Sequence, residues 1–233
     1  MPQPNSGPAP ATPGPGAAAR FLRTSGQLEA AKWLAFASMA LDHVGKMFHC
    51  YSNNFYTFGR MAAPLFVLVL VDGILSSTDP VAACRRVTKR LLIVGVISQP
   101  ITFIGFHDPW WYLNMMFTLA AATLVLELAL TRRFAAKAWL LLLTPIAVYG
   151  LGAALLPLAV LLYRRNWQFG LLAGLACLWL MNPTLYGMVG GLLAFTTYYL
   201  LTQVSPVIPR LKHFFYAAYP VHLALLKLIS VLT

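Results

Sequence analysis

Asp42 and His43 stand side by side in a largely apolar run that opens at Ala31. Lys46 follows one turn later, and Arg60 begins the next apolar run. An ionisable side chain inside a membrane span is costly, so its default reading is functional. On a helix Asp42 and His43 point about 100° apart, so adjacency alone does not make them a dyad. His43 and Lys46 share a face, as do Asp42 and Lys46. Two readings follow. Asp42 and Lys46 pair while the histidine only hydrogen-bonds another helix. Alternatively, His43 is a general base for an amine or hydroxyl, and the acid orients its ring or steadies its cation. Arg60 has two readings as well: a guanidinium snorkelling to the interface, or a fixed positive charge that pairs with Asp42 or steadies developing negative charge.

Further polar groups interrupt other apolar runs. Ser98-Gln99-Pro100 breaks one, and a proline there frees a carbonyl that needs a partner. Asn114 opens another run. Tyr216, Tyr219, Pro220 and His222 fall in the last, where Tyr219 and His222 are spaced to share a face. Such groups serve either chemistry or helix-to-helix hydrogen bonding. Asp72 and Asp79 read as helix-end or loop residues, Glu127 as a partner for a basic loop, and His213 as an interfacial residue.

The elements that must position these groups are membrane helices. The 233-residue chain is 59% hydrophobic and only 10% charged, against about 25% charged in a soluble domain. Breaks at charged and Pro/Gly-rich stretches predict spans at 29–48, 58–77, 87–106, 112–131, 136–149, 150–163, 166–183, 185–204 and 213–232. The fifth and sixth are short, each reaching only ~21 Å at 1.5 Å per residue; the alternative is one long span kinked at Pro145, Gly150, Gly152 and Pro157. The net charge is +11 and lies in clusters between apolar runs: Arg20, Arg23 and Lys32; Arg85, Arg86, Lys89 and Arg90; Arg132, Arg133 and Lys137; Arg164 and Arg165; Arg210 and Lys212. All fall on one side only if 136–163 crosses twice, and the positive-inside rule makes that side cytoplasmic. The expected fold is an all-α, polytopic membrane bundle of about nine spans, with the N-terminus cytoplasmic and the C-terminus periplasmic. Residues 1–28 read as a disordered, Pro/Ala/Gly-rich cytoplasmic tail, and 29–233 as the membrane domain. The basic clusters show neither a sustained basic face nor zinc-finger spacing, so nucleic acid is not an expected partner; the lipid bilayer is.

Cys50, Cys84 and Cys177 match no metal or CxxC spacing, and a disulfide framework is not expected. Trp110, Trp111 and Tyr112 suit a membrane–water interface. Gly170 with Gly174, and Gly187 with Gly191, suit close helix packing. P-loop, HExxH, GxSxG and GxGxxG motifs do not occur in the sequence.

Five short motifs follow one another in order: Leu41-Asp-His-Val-Gly45, Phe58-Gly-Arg-Met-Ala-Ala-Pro-Leu-Phe66, Ser98-Gln-Pro100, Leu113-Asn-Met-Met-Phe-Thr118 and Phe214-Phe-Tyr-Ala-Ala-Tyr-Pro-Val-His222. Together they resemble the TraX family of conjugative pilin acetylases, which includes the TrbP-type plasmid transfer proteins. The resemblance spans roughly residues 29–225. It implies a bacterial inner-membrane acetyltransferase of the membrane-bound O/N-acyltransferase kind. Acetyl-CoA is the implied cosubstrate and the N-terminal amine of a pilin subunit the implied acceptor. His43 matches the first-span histidine of such enzymes and Arg60 the arginine of the second-span motif. Asp42, Asn114, Tyr219, Pro220 and His222 match other family positions.

On this reading His43 is the base, Asp42 its neighbour, and Arg60 or Asn114 the stabiliser of the oxyanion, with transfer either direct or through an acetyl-histidine. Gln99, Tyr219 and His222 are further substrate-binding or structural candidates. Arg85, Arg86, Lys89, Arg90, Arg210 and Lys212 are candidates for the phosphates of acetyl-CoA. Two other classes compete: a proton-coupled transporter relaying through Asp42, His43 and His222, and a non-catalytic pilus assembly factor.

Overall fold

A computed structural model describes residues 24–50, 52–106, 109, 111–132, 144, 147–211 and 213–232. Among them lie nine α-helices: α1 Ser25–Met47, α2 Asn53–Gly59, α3 Ala62–Leu75, α4 Pro80–Phe106, α5 Met115–Thr131, α6 Gly150–Arg165, α7 Trp167–Met181, α8 Leu185–Leu201 and α9 Phe214–Leu232. The bundle is all-helical, as the composition predicts. By length and composition three stretches suffice to cross a membrane: Asn53–Leu75, Pro80–Phe106 and Phe214–Leu232. Shorter apolar helices accompany them at Met115–Thr131, Trp167–Met181 and Leu185–Leu201. α4 and α9 turn Ile93, Val96, Ile97, Phe103, Val221, Leu225 and Val231 outward. An exposed apolar surface of this kind marks a membrane face.

The helix boundaries differ from expectation in several places; α4, for one, starts at Pro80 rather than 87 and takes in Arg85 and Arg86. α1 starts four residues before the expected 29, because Thr24 and Gln27 form a capping box. The side chain of each bonds the backbone N–H of the other, at 3.2 and 3.0 Å, which satisfies two helix-end donors at once. The expected second span is two helices, α2 and α3, meeting at Arg60 and Met61. Pro64 explains the break: it has no N–H for the carbonyl of Arg60, and its ring crowds that carbonyl.

Contacts between helix ends fix the polarity of the bundle. Arg85 at the start of α4 bonds Glu127 near the end of α5 at 2.9 Å. Arg164 near the end of α6 bonds Asp72 near the end of α3 at 3.0 Å. Gln27 near the start of α1 donates to the carbonyls of Thr202 and Val204, just past α8, at 3.4 and 2.6 Å. These contacts gather Arg85, Arg86, Lys89, Arg90, Arg132, Arg164, Arg165 and Arg210 at one end of the bundle, the basic end. The C-terminus of α1, and with it His43, lies toward the other.

The expected span at 136–149 lies almost wholly outside the described residues, as do Arg20, Arg23, Arg133, Lys137 and Lys212. At the end opposite the basic one, Val148 donates to the Leu113 carbonyl at 2.9 Å. Residues 1–23 of the expected tail, and His107, Asp108 and Trp110, also fall outside the described set.

The core centres on α1, α3, α5 and α6, with Ala31, Ala35, Leu65, Val67, Val71, Leu126, Ala153 and Leu156 sealed from solvent, and α4, α7 and α8 add Cys84, Leu178 and Ala194. Asp72 is buried within it at 1% exposure and accepts from Arg164. Removing one partner of such a pair strands the other. Arg164→Ala should destabilise the detergent-solubilised protein by about 3 kcal/mol. Asp72→Ala/Arg164→Ala should recover part of that loss. Thermal unfolding monitored by circular dichroism checks both.

Candidate active site

Asp42 and His43 sit near the C-terminal end of α1, buried at 2% and 9% exposure. The Asp42 carboxylate forms ion pairs with both cations that the sequence offers it. Lys46 Nζ lies 2.9 Å from Oδ2 and Arg60 Nη2 lies 3.4 Å from Oδ1. The pairings expected of Asp42 with Lys46 and with Arg60 both form, and Arg60 points into the bundle.

The approach of α2 to α1 depends on Gly59. A Cβ there would stand 2.6 Å from the Asp42 Cβ and 2.7 Å from its Oδ1. Gly190 of α8 plays the same part behind the arginine, where a Cβ would stand 2.2 Å from the Thr57 carbonyl oxygen and 2.8 Å from the Arg60 Cβ. Ser38 of α1 donates to the Phe58 carbonyl and pins the end of α2 from the other side. The guanidinium lies over the rings of Tyr56 and Tyr149, at 4.4 and 5.4 Å from their centroids. Cation–π contact of this kind replaces some of the hydration a buried cation loses.

His43 meets His222 of α9. Nδ1 of His43 lies 2.7 Å from Nε2 of His222, and the rings are within 9° of parallel. The partners assign the protons when both rings are neutral. His222 Nδ1 lies 3.0 Å from the Ala218 carbonyl oxygen. A carbonyl only accepts, so that nitrogen carries the hydrogen and Nε2 holds the lone pair. His43 Nδ1–H then donates to it, and Nε2 of His43 is left as the basic nitrogen. Phe106 packs 5.0 Å from the His43 ring, while Phe36 and Tyr219 pack 5.3 and 5.7 Å from His222.

Asn114 and Gln99 form a clamp between α4 and α5. Asn114 caps α5 by accepting from the Met116 N–H at 3.0 Å. Its amide donates to the Gly95 carbonyl at 2.8 Å and to Gln99 Oε1 at 3.0 Å. Gln99 Nε2 in turn donates to the Tyr112 carbonyl at 2.8 Å. Both amides are thus engaged in holding the start of α5 against the Pro100 region of α4.

Asp42, His43, Arg60, Asn114 and Tyr219 line one cavity of ≈ 650 Å³, with Met39, Lys46, Thr102, Tyr149, Lys227 and Ser230 among the other walls. Toward the basic end, Lys32, Arg86, Arg90 and Arg210 line a second groove of ≈ 350 Å³. Met39 and Tyr219 belong to the walls of both. Arg85 and Lys89 face elsewhere, beside Glu127. Helix phase explains the division: Arg86 and Arg90 share one face of α4, and Arg85 and Lys89 share the next. Lys212 lies outside the described residues. Sequence reasoning missed Lys227 as a wall of the site, although it is the one charge in the last apolar run. It also missed Tyr56 and Tyr149, which no local pattern marks.

This arrangement places every one of the five ordered motifs around one cavity or in the clamp beside it. The sequence profile described as TraX protein matches residues 27–230, which contain all five. The chain belongs to the TraX family. Two curated relatives are each called Protein TraX. One, from Escherichia coli, is 31% identical over 222 residues, and one from Escherichia coli strain K12 is 32% identical over 224 residues. In both cases the match covers 88% of this chain and 88% of the relative. No solved structure matches the chain.

Gly59 gives the site's packing a direct check. Gly59→Ala should cost about 1–3 kcal/mol through overpacking against Asp42. Gly73→Ala, where an added Cβ meets nothing within 4 Å, should be neutral or slightly stabilising. The midpoints of thermal unfolding in one detergent measure the contrast.

Proposed function

We propose that this TraX-family protein acts in conjugative plasmid transfer as an acetyltransferase of the bacterial inner membrane. It moves an acetyl group from acetyl-CoA to the N-terminal amine of a pilin subunit. The observation that carries this reading is the pair of openings sharing Met39 and Tyr219. A groove with four cations stands on one side of those residues and a cavity with a histidine base on the other. A donor with a phosphorylated head and a thioester at the end of a long, thin arm fits that arrangement. Lys32, Arg86, Arg90 and Arg210 suit the phosphates. The basic end is then cytoplasmic, where the donor resides, and the His43 cavity opens toward the periplasm, where an exported pilin presents its amine.

In the transfer, the acceptor nitrogen attacks the thioester carbonyl, forming a C–N bond. His43 Nε2 takes the proton that the nitrogen loses. His222 accepts from His43 Nδ1–H throughout, which holds the ring in the required tautomer and steadies the imidazolium. The Arg60 guanidinium lines the cavity and is the donor best suited to the negative oxygen of the tetrahedral intermediate. The C–S bond then breaks, and the proton on His43 passes to the departing thiolate. Asp42 holds Arg60 in place and balances its charge.

The test is the intact mass of a pilin co-expressed with this protein. His43→Ala should abolish the added acetyl group. Arg60→Lys should reduce it at least tenfold, because lysine keeps the charge but loses the planar fork of donors. Unmodified pilin with the wild-type protein would overturn the reading. A separate check concerns the donor. Arg86→Ala/Arg90→Ala should weaken acetyl-CoA binding by tenfold or more, read by titration calorimetry. Arg85→Ala/Lys89→Ala, on the neighbouring face, should have the smaller effect.

A further inference from the structure

We propose that the His43 cavity contains a subsite for a carboxylate carried by the acceptor, formed by Lys227 and Lys46. This rests on the acetyl-transfer reading and narrows its substrate class: the acceptor is an acidic N-terminal segment rather than a bare amine.

Lys227 is the only charged residue of α9. A lysine on a membrane helix ordinarily runs its stem along the lipid face and reaches the interface. This one instead lines the His43 cavity, together with Ser230 one turn further on and Lys46 and His49 of the α1 end. Among the described residues it makes no ion pair. The described walls hold three permanent cations, Lys46, Arg60 and Lys227, and one carboxylate, Asp42. That carboxylate already answers both Lys46 and Arg60. The cavity walls therefore carry an excess of positive charge.

This charge constrains what can enter. A terminal amine has a pKa of about 8 and is largely protonated in water. As a lone ammonium it is repelled by Lys46, Arg60 and Lys227. An acceptor that brings its own carboxylate removes the repulsion. The carboxylate bonds the Lys227 ammonium, with Lys46 as second donor, while the amine beside it loses its proton more readily next to the remaining cations. Recognition and activation of the nucleophile then arise from the same charges.

Synthetic acceptor peptides test this. A series with a free N-terminus differs only in one residue, Glu, Gln or Lys, placed in turn at positions two to five. Acetylation is followed with the full-length protein in vesicles of zwitterionic lipid. At one position the Glu peptide should show a KM about tenfold below the Gln peptide, with the Lys peptide poorest and the difference carried by KM. Lys227→Arg should keep that order, and Lys227→Glu should reverse it in favour of Lys. Equal KM for Glu and Gln at every position, or an order unchanged in Lys227→Glu, would overturn the subsite while leaving acetyl transfer intact. So would a finding that Lys227→Glu leaves the peptide order unchanged but sheds co-purified anionic lipid, since the cation would then serve a headgroup. Failure to acetylate any peptide or intact pilin would remove the transfer reading and the subsite with it.

Discussion

One buried carboxylate organises the site end of this molecule. Asp42 lies in a helix surrounded by apolar neighbours, where a lone negative charge would be strongly disfavoured. Its tolerance depends on two cations at 2.9 and 3.4 Å, and one of them must be brought from another helix. The break before Pro64 sets Arg60 at a corner of the chain. The bare backbone of Gly59 lets that corner close onto α1, and Gly190 lets α8 close behind it. A helix pair, a proline and two glycines are thus tied to a single electrostatic requirement.

The histidines obey a different constraint. Their contact is neutral, and its value lies in direction. The Ala218 carbonyl fixes the hydrogen on His222, which fixes the hydrogen on His43, which leaves one nitrogen basic. The chain of assignment starts from a helix backbone, so it is insensitive to small movements of solvent or substrate. The Asn114–Gln99 clamp performs comparable work for α5, holding its first turn against α4.

Much of this was legible in the sequence, and the limits have physical causes. The helical membrane fold follows from long apolar runs and the placement of basic residues. The Asp42–Lys46 contact follows from helical spacing, and the sharing of a face by Tyr219 and His222 does too. The pattern Thr24-x-x-Gln27 marks the start of α1, although apolar content alone sets the boundary later. The pairing of His43 with His222 has no local sign, because the two lie 179 residues apart. The division of the α4 cations into two faces is readable from phase, but which face meets Lys32 and Arg210 is a matter of tertiary packing. The need for glycine at 59 and 190 arises from contacts between helices and leaves no pattern along the chain.

The span of 179 residues between the two histidines also has a meaning for biogenesis. Membrane helices are delivered in order of synthesis. Asp42 meets Lys46 within its own helix and Arg60 only eighteen residues later, so its charge is matched almost as soon as it enters the bilayer. His43 waits for α9, the last of the described helices in chain order. Charge compensation is early and local, whereas the basic nitrogen is oriented only when α9 docks. On the acetyl-transfer reading, a partly inserted chain has its buried charge matched while its base still lacks the group that orients it.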